Sequence, residues 1–118
     1  MHAIILFAHG SRDPLWHQPI QSVATRIAQR EPHTLVRCAY LELTEPDLPS
    51  VASALIDQGA TSLCVVPLFL GVGRHAREDL PELITALKAD HPAIHISCQP
   101  AVGEQDSLLD LLADIALG

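Results

Sequence analysis

The sequence predicts an α/β fold, a single doubly wound domain in which a four-stranded parallel sheet carries helices on both faces. Three observations lead there. Four short apolar runs alternate with amphipathic stretches of helical period from one end of the chain to the other. The connections are short and rich in Gly, Pro and Asp, with no repeat, low-complexity segment or linker among them. At 118 residues the chain can bury one substantial core but not two, so residues 1–118 are read as one domain.

The elements follow in order. Ala3 to Ala8 is a continuous apolar run, as expected of a strand buried on both faces, and it stops at His9-Gly10. Asp13-Pro14 supplies a cap and a first-turn proline for a helix whose apolar positions are Ile20, Val23, Ala24 and Ile27, with Pro19 limiting its first turns. Thr34 to Leu41 reads as a second strand. Its interruption by Arg37 argues for a place near the sheet edge. Asp47 and Pro49 open a second helix that closes at Gly59.

Ser62 to Leu70 is the longest apolar run, hence the expected central strand, and Pro67 should end its regular pairing. Asp79-Leu-Pro-Glu82 has the form of a capping box, which predicts a helix from about Leu80 to Asp90 and leaves His75 in the loop before it. Ala93 to Cys98 is the fourth strand, and Asp106 to Leu117 the last amphipathic helix.

Composition excludes several classes of function. A formal net charge of -7 argues against nucleic acid or an anionic membrane as partner. There is no signal segment and no apolar run long enough to span a bilayer, so a cytoplasmic location is expected. Cys38, Cys64 and Cys98 each fall inside an apolar run, in no redox or zinc spacing, and are read as reduced core residues.

All strands of a parallel sheet point one way, so whatever directly follows a strand lies along one rim, where open α/β sheets bind ligands. His9 follows the first strand, Glu42 the second, and the Gly71 to Asp79 stretch with His75 the third. Two imidazoles and a carboxylate suit borderline divalent ions such as Co(II), Fe(II), Ni(II) or Zn(II), and leave coordination positions open. Imidazoles also accept protons near neutral pH. Arg12, Arg74 and Arg77 flank these histidines although the chain has only seven basic residues, which points to an anionic substrate. Ser11, in the turn after His9, can add hydrogen-bond donors, and Leu68 and Phe69, with Leu70, Val72 and Trp16, an apolar wall.

Plainer readings exist for each. Glu42 can be a solvated loop carboxylate, the arginines can balance Asp13, Glu78 and Asp79 in surface pairs, and Phe69 can be core or dimer interface. His17, His33, His91 and His95 are read as structural, away from the rim.

The three stretches AHGSRDP, YLELTEPDLP and VVPLFLGVGRHAREDLP together resemble the small form of the sirohydrochlorin cobaltochelatases, the CbiX type of the class II chelatases. The resemblance covers essentially the whole chain in the right order. It implies insertion of Co(II) into the eight-carboxylate tetrapyrrole sirohydrochlorin on the anaerobic route to cobalamin. His9 and His75 would be the catalytic histidines, joined by Glu42 at the metal site. No cofactor is implied beyond the substrate metal ion, with Fe(II) or Ni(II) as alternatives, and a homodimer is expected because larger relatives hold two such halves. The rivals are a sirohydrochlorin ferrochelatase, a non-catalytic carrier of metal or tetrapyrrole, and a histidine-dependent phosphoryl-transfer enzyme. The last lacks a Walker-type loop or a dinucleotide fingerprint.

Overall fold

The structure, a computed structural model, describes residues 1–118. Its elements are β1 (His2–Ala8), α1 (Gln18–Arg30), β2 (Leu35–Tyr40), α2 (Leu48–Asp57), β3 (Ser62–Pro67), α3 (Arg74–Asp90), β4 (His95–Cys98) and α4 (Asp106–Leu117), with short 3₁₀ turns at Pro14–His17 and Val102–Glu104. The four strands pair in parallel in the order β2-β1-β3-β4. Both long apolar runs are thus interior, and β2, with Arg37 exposed, is an edge as expected.

One face of the sheet presents Ala3, Ile5 and Phe7 of β1, Leu63 and Val65 of β3, Ala39 and Ile96. These join Leu48, Val51, Ala52 and Leu55 of α2 and Ala76, Ile84 and Leu87 of α3 in one continuous core. The opposite face is covered by α1 over β1 and β2, where the Cys38 thiol meets the Ile20 carbonyl at 3.9 Å. Over β3 the same face is thinly covered, and Cys64 and Val66 are only half-buried. Every residue of α4 except Leu108 is exposed, and the helix packs mainly on the turn that precedes it. No helix is long and apolar enough to cross a membrane.

The cap at Asp47 forms as the sequence predicts, whereas Asp13 caps the 3₁₀ turn Pro14–His17 and not α1, which starts at Gln18 without a side-chain cap. Asp13 accepts from the Leu15 amide at 3.0 Å and Asp47 from the Ser50 amide at 2.9 Å. Hydrogen bonding from Ser50 holds the Asp47 carboxyl below the usual carboxylate range, so this cap weakens only in acid, as pH falls through that lowered value.

The third helix departs from expectation. It begins at Arg74, with Gly73 in the extended cap conformation, so Pro81 lies inside it and His75 stands on its first turn rather than in a loop. An internal proline costs about 3 kcal/mol. The apolar stripe runs straight through it, and burying Ile84 and Leu87 contributes about 1.5–3 kcal/mol each, which offsets that penalty. Pro81 is itself exposed, on the side where water can satisfy the carbonyl it frees.

Candidate active site at the carboxyl rim

The sheet does not end raggedly. Beyond the last paired residues of β1 and β2, the Leu41 amide still donates to the Ala8 carbonyl at 2.8 Å and the Glu42 amide to the His9 carbonyl at 3.0 Å. Beside them, the Leu68 amide donates to the Phe7 carbonyl at 2.7 Å, and the Gly103 amide to the Phe69 carbonyl at 3.0 Å. The loops that follow the strands are therefore fastened to one another by their backbones.

Two glycines permit the closest approaches. Gly10 has φ +99°, and a Cβ there would overlap the Glu42 carbonyl oxygen. A Cβ on Gly103 would overlap the Leu70 carbonyl oxygen. Gly103 carries no local sequence signal, because its constraint comes from a segment more than thirty residues away.

His9 is half-buried and lies against Phe69, ring centroids 4.4 Å apart and tilted by 37°. Phe69 is 1% exposed and packs edge-on against Phe7 at 5.9 Å. This corrects one expectation: Phe69 is core, placed there because the chain turns inward after Pro67, and it supports the histidine instead of forming an outer wall. Leu68 is half-buried and lines an apolar hollow with Val102, Leu108 and Leu111 at the root of α4. The apolar side chains that do reach solvent on the rim loops are Leu15 and Trp16 after β1, Leu43 after β2 and Leu70 after β3, between 40% and 67% exposed. Leu43 also has a left-handed φ of 69°, uncommon for a leucine, which the sequence gives no sign of.

Glu42 is exposed and tied to His9 through the backbone pair already described. His75 is exposed on α3, and no group of three or more His, Cys, Asp or Glu is disposed to hold a metal ion. The expected set of His9, Glu42 and His75 is thus not preassembled as a cage. Arg74 pairs with Glu78 at 3.0 Å, one helical turn on, with both side chains largely in solvent, an arrangement worth little energetically. Arg12 and Arg77 are exposed. Because α3 starts at the rim, its first-turn amides add partial positive charge there.

Ser11 is already engaged, its hydroxyl accepting from the Asp13 amide at 3.1 Å and its carbonyl lying 2.8 Å from His17 Nε2. His17 is structural, as read, but belongs to the rim and not away from it. Ser11, Arg12, His17, Cys38, Tyr40 and Glu45 line a side cleft of about 360 Å³. Burial pushes the Cys38 thiol up, against a smaller opposing effect of its hydrogen bond with Tyr40. Burial and the neighbouring Cys38 likewise push the Tyr40 phenol up, so both keep their protons at neutral pH. A larger hollow of about 510 Å³ runs along the outer face of α1, but it is lined only by polar side chains and touches no rim residue.

With this geometry in view, the CbiX family model matches residues 3–116. The chain belongs to the CbiX family. It is a chelatase enzyme, as its family relatives are. It is 30% identical over 125 residues to the sirohydrochlorin cobaltochelatase of Methanococcoides burtonii, covering 97% of this chain and 93% of that one. The CbiX protein of Marinobacter aquaeolei superposes with a TM-score of 0.82 at 34% identity, over 98% of this chain and 92% of that chain. The sirohydrochlorin chelatase SirB of Bacillus subtilis, solved in complex with cobalt, gives a TM-score of 0.78 at 30% identity. That match covers 98% of this chain and 51% of SirB, so this CbiX chain corresponds in length to about half of SirB.

Proposed function

We propose that this chain inserts Co(II) into sirohydrochlorin, a tetrapyrrole bearing eight carboxylates, for cobalamin synthesis. The observation that carries this is the meeting of three strand-end loops at His9, an imidazole backed by Phe69 and joined to Glu42 by paired backbone. The family match supports the reaction class, and the relatives' substrates support the macrocycle.

In this reading the incoming ion is taken by His9, with Glu42 and His75 as further donors. An imidazole and a carboxylate hold a borderline divalent ion without saturating it. Ligands that are not caged release the ion readily, which a transfer site requires. The macrocycle lies over the rim with its apolar faces toward Leu15, Trp16, Leu43 and Leu70 and its carboxylates toward Arg12, Arg74 and Arg77. As the metal enters, the two pyrrole N–H protons leave, and His9 and His75 are the bases that accept them. Charge balances, since a 2+ ion replaces two protons.

The test is to mix sirohydrochlorin, Co(II) and catalytic protein and follow the visible spectrum. Many macrocycles converted per chain is the expected result, whereas a change that stops at one equivalent identifies a carrier. His9→Ala and His75→Ala should each remove most of the rate. Normal turnover in both would remove the proposed site. Competition between Co(II) and Fe(II) separates the cobalt reading from the ferrochelatase alternative.

A homodimer is part of the proposal. It is supported by the exposed Leu109, Leu111, Leu112 and Ile115 of α4 and by the thin cover over Cys64 and Val66, since parallel sheets are normally covered on both faces. Sedimentation that shows only monomer at working concentration would count against it.

A further inference from the structure

We infer that His17 is a positioning residue for the site around His9 and Glu42, latching the turn that carries His9 to the strand end that carries Glu42. The inference rests on the reading of those two residues given above. His17 is the one polar residue in the buried set, at 8% exposure, although it belongs to a short surface 3₁₀ turn. Its Nε2 lies 2.8 Å from the Ser11 carbonyl oxygen. A carbonyl can only accept, so Nε2 carries the hydrogen and donates it. No buried side-chain nitrogen or oxygen lacks a partner, so Nδ1, which makes no bond within the protein, is open to solvent.

The ring is held from the other side by β2. It stands edge to face against Tyr40, centroids 4.5 Å apart at 80°, with Trp16 at 5.4 Å. Tyr40 is the last residue of β2, two positions before Glu42, and its own amide is bonded to the Pro46 carbonyl at 2.9 Å. His17 therefore joins two rim loops that are separate in sequence. Three successive residues are gripped as a result. The His9 carbonyl accepts from the Glu42 amide, Gly10 sits against the Glu42 carbonyl, and the Ser11 carbonyl accepts from His17. The first grip is a backbone hydrogen bond, and the second requires that position 10 carry no side chain. Only the third is made by a side chain.

An apolar residue would fill the same space and leave the Ser11 carbonyl without its donor. The directional bond is what a merely space-filling residue could not supply, and it acts two residues from the imidazole that must face the macrocycle.

The experiment uses the full chain with isotope-labelled histidine, followed by NMR, together with cobalt insertion assays. In the unaltered protein His17 should be found as the Nε2–H tautomer; an Nδ1–H tautomer overturns the inference without any variant. His17→Phe keeps a ring against Tyr40 but removes the donor. It should fold with a thermal midpoint within a few degrees of the parent, move the His9 ring resonance away from the position that Phe69 imposes, and lower kcat by about tenfold or more with KM for the macrocycle unchanged. His17→Gln, whose amide can donate from nearly the same place, should restore both. A folded His17→Phe protein with parental His9 resonance and kcat, or a His17→Gln protein as impaired as His17→Phe, overturns the inference. If the parent converts no macrocycle, the chelatase reading fails by itself, and the His9 resonance still decides the role of His17.

Discussion

The two stretches that carry the histidines follow neighbouring strands, yet they are built in opposite ways. After β1, His9 is half-buried, its ring rests on Phe69, its carbonyl is bonded to Glu42, and Gly10 leaves no room for a side chain. After β3, His75 is exposed on the first turn of α3, Gly71 and Gly73 have open space around them, and the nearest ion pair, Arg74 with Glu78, lies in solvent. One histidine is set into the scaffold and the other is carried on its surface. In the proposed reading, where both histidines serve the ion, such inequality helps transfer, because a fixed donor would define where the ion goes and a freer one would let it leave.

Substitutions can break or sharpen that contrast. The largest effect is expected from Phe69→Ala, which empties a fully buried position and should cost about 3–5 kcal/mol in denaturant unfolding, with loss of His9 support. Gly10→Ala should cost about 2–4 kcal/mol, because the new Cβ meets the Glu42 carbonyl at a left-handed φ, while Gly71→Ala, with nothing nearby, should unfold at nearly the parental denaturant concentration. Equal effects of the two would erase the distinction between the stretches. Arg74→Ala should change stability by no more than about 0.5 kcal/mol, since it loses one exposed pair, but should raise KM for the macrocycle several-fold. An unchanged KM would take Arg74 out of the substrate site. The smallest effect is a gain: Gly73→Ser gives α3 the side-chain cap it lacks and should add a few tenths of a kcal/mol, read as a higher unfolding midpoint.

Much of this was legible in the residues because local physics decided it. The apolar runs became β1 and β3, Pro67 ended its strand, Asp47 and Gly59 bounded α2, and α4 took the predicted span. The start of α3 was not legible: a capping box at Asp79 competed with an apolar stripe beginning at Ala76, and burial of that stripe won despite Pro81. At the site, the sequence placed His9 and Glu42 on one rim with Leu70 and Trp16 as apolar neighbours, but could not show that Phe69 lies beneath His9, that Leu43 is left outside as well, or that His17 reaches Ser11. The Phe69 contact joins segments distant along the chain, the others depend on how local turns fold, and no periodicity encodes any of them.

The rim loops are joined backbone to backbone, through Gly10 at Glu42 and Gly103 at Leu70. A frame fastened in that way is indifferent to most of the side chains mounted on it. Positions such as Arg12, Leu15, Leu43 and Leu70 can therefore be exchanged, by drift or by an engineer, to suit a different ion or a differently decorated ring while the mounting stays true. Two glycines and a few amide bonds make the mouth of this enzyme a reusable one.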